Sequence, residues 1–204
     1  MMIFWEAGLT MLAVPKTGTQ AYAAMLADTA DMVMRHPPRM KHMTAQRFQR
    51  RFRPLLPPRD GAPMVTIAVI REPLDWLGSW YRYRGRPALD GHRNSTSGIS
   101  FDEFVLAYVS ARPPAHAAVG SQFRFVSDDA GKILVDHLFD YADQVRLRSF
   151  LSERLGHEVS TPPPRNVSPE AELVLSAQTE QRLRRHCEAD FGLYADIRRG
   201  RHLP

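Results

Sequence analysis

The segment from residue 15 to residue 20 contains the residue types that bind anions. It reads Pro15-Lys16-Thr17-Gly18-Thr19-Gln20, after an apolar run at residues 9–14 and before apolar residues at helical spacing. At the start of a helix, outward-pointing backbone N–H groups and the helix dipole favour a bound phosphate or sulfate. Lys16 adds a mobile positive charge, the two threonines add hydroxyl donors, and Gly18 lets the backbone approach a ligand closely. The sequence therefore predicts an anion-binding loop at residues 15–20.

This loop differs from the P-loop that binds ATP and GTP. That motif is Gly-x-x-x-x-Gly-Lys-Ser/Thr, in which the lysine follows the second glycine. Here Lys16 precedes Gly18, the only glycine of the segment. A small-molecule kinase would also place a phosphate on this loop, but the chain lacks the Walker lysine and an evident acidic motif for magnesium. The kinase is therefore the nearest alternative among enzymes.

A second candidate contact for an anion follows the clearest predicted strand, residues 64–70. Arg71 comes directly after this uninterrupted, β-branched run, and Glu72-Pro73 then opens a helix that carries Ser79 about two turns along. The Arg71 guanidinium can bind a phosphate through two hydrogen bonds, and the Ser79 hydroxyl can reach the same anion. Because both motifs follow a strand, we expect them at one edge of the sheet.

The two motifs together resemble those of sulfotransferases that use 3′-phosphoadenosine-5′-phosphosulfate (PAPS) as donor. The order Pro-Lys-x-Gly-Thr is similar to the family's 5′-phosphosulfate loop, and the spacing of Arg71, Pro73 and Ser79 is similar to its 3′-phosphate motif. The chain departs from the family at Gln20, where Thr or Ser is usual, and at residues 139–141, where a glutamate is frequent. Shorter likenesses to carbohydrate-type enzymes and their bacterial relatives are Lys41-His42-Met43-Thr44-Ala45, Ser121-Gln122-Phe123 and Asn166-Val167-Ser168.

The resemblance implies a P-loop-like sulfotransferase fold and transfer of a sulfuryl group from PAPS to a hydroxyl of an acceptor. Residues 15–20 would hold the 5′-phosphosulfate, with Lys16 neutralising the leaving oxygen, while Arg71 and Ser79 would anchor the 3′-phosphate. His42 is the candidate base that removes the acceptor's proton, since histidine titrates near neutral pH. No metal is expected. The candidate acceptors are a carbohydrate, a lipid and another hydroxylated metabolite, and the residues do not choose among them.

The order of the predicted elements indicates an α/β protein with a mainly parallel central sheet flanked by helices. A chain of 204 residues is expected to form a single domain, residues 1–204. Strands are predicted at residues 9–14, 64–70 and 132–139, the last centred on 133–135, and helices at residues 19–33, 44–52, 73–83, 101–108, 147–155 and from about 169 onwards.

Composition and charge leave a second class of protein open. The formal net charge is +5, which favours anionic partners, and arginines cluster at residues 47–53 and 82–86. Trp80, Tyr81 and Tyr83 could stack on bases, so a basic nucleic-acid-binding protein without catalysis is an alternative, although no recognition motif for DNA or RNA is present. A protein that binds the nucleotide without transferring sulfate is another.

Cysteine content and hydropathy bear on the location of the protein. Cys187 is the single cysteine and cannot form an internal disulfide, and residues 1–14 lack the pattern of a secretory signal. Charged residues interrupt every apolar run before it reaches the length of a membrane span. We therefore expect a cytoplasmic protein with no membrane span.

Overall fold

The computed structural model describes residues 1–58, 61–163 and 171–203. The chain forms two compact units: Met1–Arg71, Gln122–Arg165 and Leu193–Pro204 make up the first, and Glu72–Ser121 and Asn166–Gly192 make up the second. The single domain expected from the chain length stays a prediction. The Asn166-Val167-Ser168 element and the predicted start of the last helix near residue 169 lie outside the described residues.

A five-stranded mixed sheet forms the first unit, with the strand order β3-β1-β2-β4-β5. Strand β4 is parallel to β2 on one side and to β5 on the other, whereas β1 is antiparallel to both β2 and β3. The predicted α/β class is confirmed, but the prediction of a mainly parallel sheet is wrong, because half of the strand pairs are antiparallel. The strands are β1 (Met2–Phe4), β2 (Leu9–Met11), β3 (Met32–Val33), β4 (Val65–Ile70) and β5 (His137–Asp140).

The first two strands form a hairpin, which the sequence did not predict. Four residues connect β1 to β2, and a connection this short joins only antiparallel strands. The Gly8 N–H donates to the Trp5 carbonyl at 3.0 Å, and Gly8 has a φ of 59°, which closes the turn. The hairpin accounts for one of the two antiparallel pairs.

The helix predicted over residues 19–33 ends early. Helix α1 is Thr19–Met25, and the apolar residues at 32 and 33 form β3 instead, where Met32 pairs with Ile3. The Asp31 carboxylate accepts a hydrogen bond of 2.6 Å from the Trp5 backbone N–H, which fixes the chain beside β1. A pairing between distant segments therefore replaces the local helical pattern.

The remaining helices agree with the predictions at residues 44–52, 73–83, 101–108 and 147–155 to within a few residues. Thr44 caps its helix by accepting from the Arg47 N–H, and Gly156, with a φ of 73°, ends another. The region predicted as the last helix forms two helices, and its residues belong partly to each of the two units. The helices are α2 (Pro38–Lys41), α3 (Ala45–Arg47, continued by a π-helix at Phe48–Phe52 and a 3-10 turn at Arg53–Leu55), α4 (Pro73–Arg84), α5 (Phe101–Tyr108), α6 (Gln122–Val126), α7 (Gln144–Leu155), α8 (Ala177–His186) and α9 (Glu188–Arg198).

Both faces of the sheet are buried. Ile67 and Val69 pack in one apolar cluster, together with Leu147 of α7, whereas Ala68 and Ile70 pack in another on the opposite face. This alternation follows from the two-residue period of a strand, and burial on both faces explains the uninterrupted apolar run of β4. None of the helices in the described parts of the chain combines the length and hydrophobicity that crossing a membrane requires.

Strand β5 begins later than predicted, because a polar contact sets its position against β4. The Asp136 carboxylate accepts two hydrogen bonds of 2.7 Å from Thr66, one from the backbone N–H and one from the hydroxyl. The predicted centre, residues 133–135, contributes only an isolated bridge between Ile133 and Ser127. With Asp136 held beside Thr66, Ile67 pairs with His137 and Ile70 with Asp140.

Replacing Asp136 by alanine is expected to lower the free energy of unfolding by about 1–3 kcal/mol, because the buried N–H and hydroxyl of Thr66 lose their acceptor. Asp136→Asn, which keeps one oxygen, should cost less. Urea denaturation monitored by circular dichroism measures the difference. Asp129→Ala, at an exposed carboxylate that binds the Gln46 side chain, is the matched control and should change stability by less than about 0.5 kcal/mol. Equal effects of Asp136→Ala and the control would contradict this account of the register.

Candidate anion-binding site

The carboxyl ends of three parallel strands lie at one edge of the sheet. The loop at residues 15–18 follows β2, Arg71 follows β4, and Tyr141 follows β5. Backbone hydrogen bonds hold these ends together, from the Leu12 N–H to the Ile67 carbonyl at 2.9 Å and from the Tyr141 N–H to the Ile70 carbonyl at 2.7 Å. Segments that are far apart in the sequence are thus neighbours at the edge where α/β proteins bind ligands.

The loop after β2 has an uncommon backbone conformation. Lys16 has a φ of 67° and Gly18 a φ of 74°, so two left-handed residues flank Thr17. For a residue with a side chain this conformation costs about 1–2 kcal/mol. Turns that alternate handedness in this way can direct successive backbone N–H groups toward a bound anion. Since α1 has only seven residues, its dipole would add little to the binding of an anion, which would depend mainly on the loop itself.

The predicted loop residues differ in their exposure. Pro15 and Lys16 are half-buried, Gly18 and Gln20 are exposed, and both threonines are buried. The Thr17 hydroxyl donates to the Val14 carbonyl at 2.8 Å, so an anion would meet the backbone N–H of this residue rather than its hydroxyl proton. The Thr17 side chain therefore stabilises the turn in which Lys16 is held.

Arg71 contacts the loop directly. Its Nη1 donates to the Lys16 carbonyl at 3.3 Å, and its Cζ lies 4.4 Å from the centroid of the Tyr141 ring. The Arg71 backbone is fixed by the buried amide of Gln122, which accepts from its N–H at 3.0 Å and donates to its carbonyl at 2.7 Å. The structure thus brings together the loop and the arginine that the sequence predicted separately.

Tyr141 and Gln122 are neighbours of Arg71 that were not predicted as site residues. The sequence placed the end of the third parallel strand at residue 139 and marked residues 139–141 only as a departure from the resembled family, so it did not single out Tyr141. A corrected strand end would have shown an aromatic residue directly after β5. Gln122 lies in a segment, Ser121-Gln122-Phe123, that resembles a segment of the sulfotransferase family. The residues of this segment do not indicate that the Gln122 amide hydrogen-bonds to the Arg71 backbone.

His42 lies against the chain that leads into the loop. Its Nδ1 donates to the carbonyl of Ala13 at 2.8 Å, which leaves Nε2 as the nitrogen that can accept a proton. The ring is half-buried, and this burial lowers the pKa of His42, with a smaller lowering by the charge of Lys41; the Ala13 carbonyl acts in the opposite direction. His42 is therefore held in the neutral form of a proton acceptor.

Ser79, the predicted partner of Arg71 in holding a 3′-phosphate, belongs to the second unit. It lies in α4 and is 8% exposed. The helix itself begins as predicted, with Pro73 in its first turn and with the Glu72 carboxylate accepting from the Asp75 N–H at 2.7 Å. Joint binding of one phosphate by Arg71 and Ser79 stays a prediction.

Lowering the pH through 6.5, the ordinary pKa of histidine, is expected to reduce the free energy of unfolding. The unfolded chain binds a proton at His42 in this range, whereas burial lowers the pKa of His42 in the folded protein, so the folded protein resists protonation. His42→Gln keeps a donor for the Ala13 carbonyl and cannot titrate, so its stability should fall less with pH. Urea denaturation at several pH values, with an NMR titration of the imidazole, provides the measurement. A His42 pKa at or above 6.5 would contradict the expectation.

The chain was compared with protein-family models, with curated proteins and with solved structures, and no match was found.

Proposed function

We propose that this protein is a sulfotransferase that moves a sulfuryl group from PAPS to a hydroxyl of an acceptor. One observation supports the proposal above the others: the Arg71 guanidinium donates to the carbonyl of Lys16, 55 residues earlier in the chain. A loop suited to a 5′-phosphosulfate and an arginine suited to a 3′-phosphate are thus neighbours, as a donor with anionic groups at both positions requires.

The charges at the sheet edge suit a donor of this kind. The Arg71 guanidinium donates to the backbone carbonyl of Lys16. The guanidinium of Arg148, on α7, is near the Tyr22 hydroxyl. Burial raises the pKa of Tyr22, and the charge of Arg148 acts in the opposite direction. A lysine and an arginine at the same loop favour a ligand with several negative charges over a neutral one.

In the proposed reaction the acceptor oxygen attacks the sulfur in line and the phosphate oxygen of the donor leaves. As in phosphoryl transfer, positioning and stabilisation of charge do most of the work. The Lys16 ammonium would neutralise charge on the leaving oxygen, and the loop N–H groups would hold the phosphosulfate. Arg71 would bind the 3′-phosphate, with Ser79 as its predicted partner.

His42 is the proposed base. Its Nδ1–H is committed to the Ala13 carbonyl, so Nε2 carries the lone pair that would accept the acceptor's proton. Because burial lowers the pKa of His42, the ring is neutral and ready to accept a proton at neutral pH. The hydrogen bond to Ala13 also fixes the ring beside the chain that enters the loop.

Adenosine 3′,5′-bisphosphate, the desulfated donor, is expected to bind with micromolar affinity in a calorimetric titration, and ATP much more weakly. Arg71→Ala should weaken binding of the bisphosphate by about tenfold to a hundredfold, because a charge-assisted contact is lost. Arg50→Ala removes an exposed arginine of the same unit and is the matched control, which should bind like the wild type. Binding of ATP as tight as that of the bisphosphate would favour a kinase. An absence of bisphosphate binding would contradict the sulfotransferase proposal.

Lys16→Ala is expected to reduce release of the bisphosphate from PAPS by about a hundredfold or more, since one stabilising cation is removed. The release would be measured in the presence of a mixture of sugars and phenols as acceptors. Lys16→Gly should be as inactive, but more stable than Lys16→Ala by about 1 kcal/mol, because glycine adopts a positive φ without strain. Near-normal turnover of Lys16→Ala would remove this residue from the mechanism.

A further inference from the structure

The Arg71 guanidinium lies over the aromatic ring of Tyr141. The Arg71 Cζ lies 4.4 Å from the ring centroid, a distance at which a cation is attracted to the electron-rich face. The ring also borders the loop, because a Cβ atom added to Gly18 would lie 3.3 Å from Cε2 of Tyr141. Tyr141 is therefore packed between the arginine and the loop of the proposed site.

The Tyr141 backbone is held by hydrogen bonds to β4 and α7, and through Gln144 of α7 it is connected to α1. Its N–H donates to the Ile70 carbonyl at 2.7 Å, and its carbonyl accepts from the Gln144 amide at 2.6 Å. The same Gln144 side chain accepts a hydrogen bond of 2.7 Å from the hydroxyl of Tyr22, on α1. A chain of contacts thus runs from Tyr22 on α1 through Gln144 and Tyr141 to Arg71. Arg71 in turn contacts Lys16, so these residues connect both ends of the loop.

We infer that Tyr141 is a positioning residue of the proposed donor site, which holds the Arg71 guanidinium beside the anion-binding loop. The inference rests on the proposed function, since it assigns to Arg71 the donor phosphate as its ligand. The ring attracts the guanidinium through its electron-rich face and, unlike a carboxylate, does not neutralise it. Tyr141 thus restrains Arg71 through a contact that leaves its positive charge in place.

The chemistry of the side chain is suited to this role. A carboxylate next to Arg71 would also orient it, but it would bind the same N–H groups and cancel the charge that attracts the donor. An aliphatic side chain would leave the charge but would not attract the guanidinium. An aromatic ring attracts the guanidinium and, because it carries no net charge, also leaves the positive charge of Arg71 in place.

The inference is tested by two substitutions at Tyr141. Tyr141→Phe keeps the ring and should bind adenosine 3′,5′-bisphosphate like the wild type, whereas Tyr141→Leu should bind it about five- to twentyfold more weakly. In the Arg71→Ala background, Tyr141→Leu should have no further effect, since the side chain it positions is gone. Phe150→Leu removes an aromatic ring that packs on β5 at Phe139, 5.1 Å between centroids, and is the matched control.

A second measurement reports on Arg71 without a ligand. The Arg71 Nε–H signal, identified by its loss in Arg71→Lys, should have the relaxation of an ordered group in the wild type and in Tyr141→Phe, and of a mobile one in Tyr141→Leu. A general loss of structure would instead change the backbone amide spectrum of all parts of the unit.

Two outcomes separate this inference from the proposed function. If the wild type binds the bisphosphate and Tyr141→Leu binds it equally well, or if the Arg71 signal stays ordered in Tyr141→Leu, the positioning role is wrong and the proposed function stands. If the wild type itself does not bind the bisphosphate, the proposed function fails and the inference fails with it.

Discussion

The position of the Arg71 guanidinium, between the Lys16 carbonyl and the Tyr141 ring, is the interaction on which the rest of the site depends. The Arg71 Nη1 lies 3.3 Å from the Lys16 carbonyl oxygen, and its Cζ lies 4.4 Å from the centroid of the Tyr141 ring. These contacts join segments that follow three different strands and are far apart in the sequence. A positive charge that is half-buried needs partners of this kind. The contact also accounts for Lys16, because a left-handed residue with a side chain persists only where its surroundings fix it.

The sheet makes this convergence possible. β4 lies between β2 and β5 and is parallel to both, so the three strands end at the same edge. Their register is fixed by burial of both faces, since a shift of one residue would exchange Ile67 and Val69 with Ala68 and Ile70 between the two apolar clusters. Thr66 and Asp136 fix the register between β4 and β5. The position of Tyr141 beside Arg71 thus depends on packing and on one polar contact at the opposite end of the strands.

Local signals in the sequence were sufficient for the elements that depend on local chemistry. The apolar, β-branched run of β4, Pro73 at the start of α4, and Gly18 before α1 all stand where they were predicted. Short strands escaped prediction, because β1 depends on its pairing with β2 and β3, and β3 depends on the pairing of Met2 with Val33 and of Ile3 with Met32. Tyr141 escaped for a related reason: the end of β5 is set by a contact between residues 70 positions apart. What the sequence could not supply was therefore the set of long-range partners.

The positive φ at Lys16 and the contact of Arg71 with Tyr141 both restrain the proposed site before a ligand arrives. The first fixes the backbone of the loop and the second restrains a guanidinium, so part of the cost of ordering the site would be met in folding and not in binding. For Lys16 the strain is about 1–2 kcal/mol, which is comparable with the gain of about 1.5–3 kcal/mol from one charge-assisted hydrogen bond. In the proposed reaction, groups that are already ordered would stabilise the transition state more than mobile ones, because less reorganisation is needed when charge develops on the leaving oxygen. The proposed anion-binding role would thus account for a lysine, rather than a glycine, at a positive φ in the loop between β2 and α1.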